Sequence, residues 1–301
     1  MARPTVLVVG AGVSAEYGFP LGSGLVHAIC AQISGIPQRL ERANFERGWI
    51  ESLLRALPES GAMSVDAFLE HRPDLRAVGK AAIAAAIIDY ERQSRSKLFA
   101  LEKLYPYRYL LSRLKGRVDH LKNGVLSIIS FNYDRSLEFY LVRALSRQHN
   151  TTEEAAAKAL LAAIPIVHVH GTLGPLPSVD TAWNLEYGPS EVVGTDLRRA
   201  SEQIVVVSEG SEDTPQFVRA RALIAAAETV IFLGFGYDTT NLRRLGAPTS
   251  FEGKNLIGSA FRLTAAEQAL AAGAIGHSIN LGNPFSGSVD FLREHVDKLE
   301  F

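Results

Sequence analysis

Residues 6–9, VLVV, form a short, fully apolar, β-branched run that is closed at once by the glycine motif GAGVS at 10–14. A run of that length without polar alternation reads as a strand buried on both faces of a parallel sheet. Comparable runs recur at 125–130, 166–170, 204–207, 229–233, 256–259 and 277–281, and helical patterns fall between most of them, at 136–147, 152–163, 215–227, 264–272 and 288–299. Strand alternating with helix predicts right-handed βαβ units and an α/β fold with a doubly wound, Rossmann-like parallel sheet. The interval 24–124 breaks the alternation, because it carries amphipathic segments such as the alanine-rich 77–90 and no convincing strand. The chain therefore divides into a Rossmann-like core at 1–23 and 125–301 and a helical insertion at 24–124, in which Ser64 is the expected N-cap of a helix. The proline- and glycine-bearing stretch from 171 to about 190 suits a loop or lid over a pocket.

Four motifs stand at the ends of those runs, where open parallel sheets build their ligand crevice: GAGVS at 10–14, SFNYD at 130–134, HVHG at 168–171 and LGFGYDTTN at 233–241. In the first, Gly10 and Gly12 permit close backbone approach, the following helix offers free N–H groups to a pyrophosphate, and Ser14 adds a hydroxyl. The spacing of Gly10, Gly12 and Ala15 also fits an ordinary dinucleotide fingerprint, but no clear second strand ending in an acid follows about 20 residues later. A ligand-free turn is the bland alternative. In the second motif Asn132 and Asp134 stand two residues apart and can project from one strand end into a shared cleft. Asn132 donates and accepts, Asp134 only accepts when ionised, and together they can grip a carboxamide or a ribose diol; alternatively, Asn132 forms a turn and Asp134 caps a helix beginning near Ser136. His168 and His170 share a face unless the strand ends between them. His170, beside Gly171, is the candidate base for water or a sugar hydroxyl, and the deeper His168 reads as a core histidine with its partners satisfied. Gly234 and Gly236 line the far side of the same nucleotide or form a capped loop, with Asp238 starting a helix.

Composition removes several classes. The single cysteine, Cys30, excludes an intrachain disulfide and a cysteine-built zinc module and points to a reducing cytoplasm. No metal is expected, since no acid or cysteine stands at ligand spacing beside the histidine pair. A formal net charge of −1 supplies no global basic field for direct nucleic-acid or anionic-membrane binding. No apolar stretch approaches the roughly 18 residues of a membrane span, and the amino terminus runs into the first strand without a secretory pattern.

Taken in chain order, GAG-x-S, a G-x-P at 18–20, N-x-D, H-G, and G-x-G before a helix resemble the sirtuin (silent information regulator 2) superfamily over 6–22 and 125–281. The resemblance implies NAD as ligand. It assigns Gly10, Ala11, Gly12 and Ser14 to the dinucleotide phosphates, Asn132 and Asp134 to the border of the nicotinamide-ribose site, and His170 to the catalytic base. Gly234 and Gly236 match a ribose-contacting segment, and Asn280 a late adenosine-ribose contact. The zinc-binding C-x-x-C pairs of the deacylases are missing, so no zinc ribbon is expected, and 18–22 reads GFPLG where they continue G-I-P with an F-R pair. What remains is similar to the zinc-free sirtuin-like domains of bacterial antiphage systems, which SVDAFLE at 64–70 also resembles. That branch implies a cytoplasmic NAD glycohydrolase (NADase) that releases nicotinamide and ADP-ribose. It would be a regulated antiviral defence effector, acting as a homo-oligomer or beside a separate ATPase or nucleic-acid-sensing subunit. A zinc-free deacylase or ADP-ribosyltransferase and a non-catalytic NAD-sensing module are the alternatives.

Overall fold

The computed structural model describes residues 3–32, 35–114, 125–183, 185–206 and 213–295 of the 301-residue chain. Its strands are β1 (Thr5–Val9), β2 (Leu126–Ser130), β3 (Ile166–His168), β4 (Thr229–Leu233), β5 (Asn255–Gly258) and β6 (Asn280–Leu281). They form one parallel, 6-stranded sheet in the order β3-β2-β1-β4-β5-β6. The direction of winding reverses between β1 and β4, the point at which such sheets open a crevice beyond the strand ends. Register makes that crevice sharp: Val9 lies level with Ser130 on one side and Leu233 on the other, so the motifs that follow the three strands start from one edge.

The unbroken apolar runs form strands because both faces of the sheet are covered. Leu7, Val9, Leu126, Ile128, Ile231 and Leu233 pack into one buried cluster, and Val6, Val8, Ile129, Val230 and Phe232 into another. Each such fully buried side chain contributes about 1.5–3 kcal/mol. Between β1 and β2 the described residues form helices and no strand: Ala11–Ala15, Gly22–Cys30, Ile36–Arg42, Arg47–Glu59, Val65–His71, Arg76–Leu98 and Pro106–Arg113. The helix Arg76–Leu98 is buried at every position from 81 to 88, which explains why its sequence there lacks a polar face. Ser64 caps Val65–His71 by accepting from the Ala67 N–H at 3.2 Å.

Several boundaries differ from the expectations. The third run stops at His168, because the Gly171 N–H turns back to the His168 carbonyl at 3.1 Å; His168 therefore lies on the strand and His170 in the turn beyond it. The run at 204–207 adds no parallel strand: Ile204 forms an isolated antiparallel bridge with Gly171, and residues 207–212 lie outside the described residues. The last run shortens to Asn280–Leu281, and the helix before it continues to Ile275 and ends on Gly276 at φ 77°. The final helix is Ser288–Glu294, with 296–301 outside the described residues.

Candidate functional site

Two cavities open beyond the carboxyl ends of the strands. The inner one, about 120 Å³, is lined by Ala11 and Ser14 from the β1 loop, by Phe131, Asn132, Tyr133 and Asp134 from the β2 loop, and by Ser64, Val65 and Asp66 from the helical segment. The outer one, about 740 Å³, runs over Ala11, Gly12, Gly234, Gly236 and Ser259 and falls in the size range of ligand pockets. Ala11, Leu21 and Gly22 belong to the walls of both.

Asn132 is 8% exposed and held on every side but one. Its backbone N–H donates to Ser130 Oγ at 3.1 Å and its carbonyl faces His168 Nδ1 at 2.8 Å. Its side-chain Nδ2 donates to the Gly10 carbonyl at 3.2 Å and to Ser14 Oγ at 2.9 Å. A carbonyl can only accept, so the atom facing Gly10 must be the NH₂ group and the amide orientation is determined by the network. What remains is Oδ1, buried and without a partner. Such groups are rare in folded proteins and mark places where a ligand or water completes the structure.

Asp134 lies deeper and is already engaged. Its Oδ1 accepts from the Ser136 N–H at 3.1 Å and from Ser136 Oγ, closing a turn before the helix Ser136–His149, whose N-cap position is Arg135. Burial pushes its carboxyl above the usual range, against the hydrogen bonds from Ser136 and Ser14. Tyr107, from the helix Pro106–Arg113, stands at the centre of the network, with its Oη 2.9 Å from Ser136 Oγ and 3.4 Å from Ser14 Oγ. No local pattern around Tyr107 announces that role.

His168 has both ring nitrogens engaged, Nδ1 with the Asn132 carbonyl and Nε2 with Glu138 Oε1 at 2.5 Å. His170 is 7% exposed and packs against Phe131, Tyr133 and Phe217, with ring centroids 5.7, 6.2 and 5.8 Å away, and its buried Nδ1 has no partner. It lies beside the Asn132 loop but belongs to the wall of neither cavity.

The glycines hold the two central loops together. Gly10 N–H donates to Leu233 O at 3.0 Å and Gly12 N–H to Gly234 O at 2.9 Å, so neither donor is left for a phosphate. Gly234, at φ 60°, is itself too close to Val13 N for any side chain, whereas a Cβ at Gly236 would meet nothing. Asp238 caps Thr239–Arg244 by accepting from the Asn241 N–H at 2.9 Å. Asn280 lies on the exposed edge strand and lines neither cavity.

The residue that stands in the outer cavity on that side is Ser259, whose Oγ accepts from the Gly234 N–H at 2.8 Å. It closes the apolar run at 256–259, the same signal that marks the other motifs. The stretch 171–190 is irregular but not a lid: Leu173, Leu176, Trp183, Leu185 and Tyr187 are buried, and none of its described residues lines either cavity. Its apolar side chains draw it down onto the neighbouring helices.

Among the described residues no group of three or more metal-ligating side chains comes together, and no helix is long and apolar enough to cross a membrane. No family model matches the chain, and no curated protein does. Among solved structures the chain is similar to one described as the crystal structure of a Sir2 homolog–NAD complex. The two share 16% identity over 98% of this chain and 90% of that one, with a TM-score of 0.45.

Proposed function

We propose that the protein hydrolyses the bond between nicotinamide and ribose in NAD, giving nicotinamide and ADP-ribose. The observation that carries this reading is the buried, unpartnered Oδ1 of Asn132, a residue of the inner cavity's wall, with both amide hydrogens turned away into the β1 loop. A substrate that bridges the two cavities fits this free acceptor: a small amide-bearing ring against Asn132 and a longer nucleotide arm over Gly236 and Ser259. The glycines at 10, 12 and 234 serve loop packing, so the outer cavity would meet the phosphates with Lys103 and Arg262. Lys103 stands 3.6 Å from Glu16.

Cleavage at C1′ develops oxocarbenium character, so a competent site orients the leaving group, holds the ribose and supplies a base for water. Asn132 Oδ1 would accept from a ribose hydroxyl or the carboxamide, and the unpartnered His170 Nδ1 would take the proton from water. Within this reading 24–124 is an insertion that completes the site. The motif resemblance adds a cytoplasmic, regulated antiphage role, with self-association or a separate ATPase or nucleic-acid-sensing subunit.

Purified protein incubated with NAD is expected to release nicotinamide, and His170→Ala and Asn132→Ala are expected to lose about 10²-fold or more. Equal release by all three would remove this mechanism. One observation favours a second reading, NAD sensing without turnover: His170 lines neither cavity. Thermal stabilisation by NAD that stays chemically intact, with or without co-purifying partners, would select it.

A further inference from the structure

We infer that Asp66, in the helix Val65–His71, is a specificity residue that selects a neutral carboxamide over a carboxylate on the leaving group. The inference rests on the proposed cleavage at the inner cavity and concerns a residue that none of the four strand-end motifs contains.

The ionisable side chains of the inner cavity are acids, with no cation among them. No lysine, arginine or histidine lines it. Ser14 Oγ accepts from Asn132 Nδ2, Ser64 Oγ accepts from the Ala67 N–H, and Asp134 Oδ1 is taken by Ser136. Asn132 Oδ1 is a free acceptor. Asp66 accepts from Tyr133 Oη, and a carboxylate with about four lone-pair sites keeps capacity after one such bond. Phe19, Pro20, Leu25, Ile87 and Phe131 supply much of the remaining wall, all apolar. A slot with an apolar lining, free acceptors and a carboxylate suits a flat ring that brings N–H donors and positive charge. The same ring with a carboxylate in place of the amide would bring a like charge against Asp66 and lose both donors.

Asp66 is also held in place independently of any ligand. Tyr133 fixes it at one end, and Glu70, on the same helix, meets Arg244 at 3.0 Å. Asp66→Asn keeps an oxygen for Tyr133 and removes the charge alone, so it separates selectivity from folding.

The test compares NAD with nicotinic acid adenine dinucleotide as substrates of wild type and Asp66→Asn, beside the affinities of free nicotinamide and nicotinate for both proteins. Wild type is expected to prefer the amide by about a hundredfold or more, as like-charge contacts across an interface dictate. Asp66→Asn is expected to reduce that ratio at least about tenfold, the equivalent of one unit-charge contact near a protein surface, with an unchanged melting temperature. An unchanged ratio in Asp66→Asn, with NAD still cleaved, overturns the inference and leaves the hydrolase reading intact. Failure of wild type to cleave either dinucleotide removes the hydrolase reading, and the free-ligand affinities then decide: selectivity lost in Asp66→Asn supports the assignment, and equal affinities in wild type overturn it.

Discussion

A methyl group added at Gly10 would stand 2.4 Å from Gly234 O, and one at Gly12 would stand 2.9 Å from Gly234 Cα. Both obstacles are backbone and cannot move aside by changing rotamer. Gly10→Ala and Gly12→Ala are expected to cost about 1–3 kcal/mol each, read from the urea midpoint; unchanged midpoints would mean that the β1 and β4 loops part without penalty. Gly236→Ala meets no atom, so its midpoint is expected to stay within about 0.5 kcal/mol of wild type while the NAD-induced rise in melting temperature shrinks. The His168–Glu138 pair sets a pH dependence. Burial opposes charge on His168, but the Glu138 carboxylate and the Asn132 carbonyl outweigh it and raise the imidazole above its usual range. Burial likewise opposes charge on Glu138, and His168 outweighs it, holding the carboxyl low. A raised histidine adds stability that is complete below its unfolded value and lost as pH rises through the folded one, whereas a lowered glutamate adds stability that is lost as pH falls through its folded value. The pair is therefore strongest between about pH 4.5 and 6.5. Denaturation of Glu138→Gln is expected to show a larger loss at about pH 6 than at about pH 9; equal losses would mean a neutral imidazole throughout.

At the scale of elements, one buried ion pair ties the helical segment to the sheet. Glu91, on the helix Arg76–Leu98, accepts from Arg135 Nε at 3.0 Å and from its terminal nitrogen at 2.7 Å, with side chains 0% and 2% exposed. Arg135 also donates to the Leu185 and Glu186 carbonyls at 2.9 and 2.8 Å, and Gly188 N–H reaches Glu91 at 3.1 Å. Glu91→Ala would leave the guanidinium buried without a counter-charge, at an expected cost of about 3–5 kcal/mol by urea denaturation; a loss below about 1 kcal/mol would show that the carbonyls alone suffice. These contacts mark the limit of what the sequence discloses. β1, β2, β4 and β5 are legible because strands covered on both faces need unbroken apolar runs. Ile204 misleads because an apolar residue also suits a buried bridge after a turn. The places of Asn132, Ser14 and Gly236 on the cavity walls are legible from their positions at strand ends. Asp66, Tyr107 and Glu91 were not, because each meets its partners from 29 to 97 positions away and sits in an ordinary helical pattern.

Across the whole molecule the helices between β1 and β2 do not keep a private core. Their buried cluster includes Tyr133, Leu173, Trp183, Leu185, Leu197, Ala200 and Ile204 from later in the chain. Unfolding is therefore expected to be a single transition, with tryptophan fluorescence and far-ultraviolet circular dichroism giving the same midpoint; two separated transitions would mean that the helices stand alone. The short helix Val65–His71 reaches both banks of the crevice, through Asp66 to the loop after β2 and through Glu70 to the helix after β4. Those two acids are four residues apart, a rise of about 6 Å. A single helical turn thus works as a cross-brace between the two halves of the sheet, and whatever pulls on it from outside would loosen both anchorages at once.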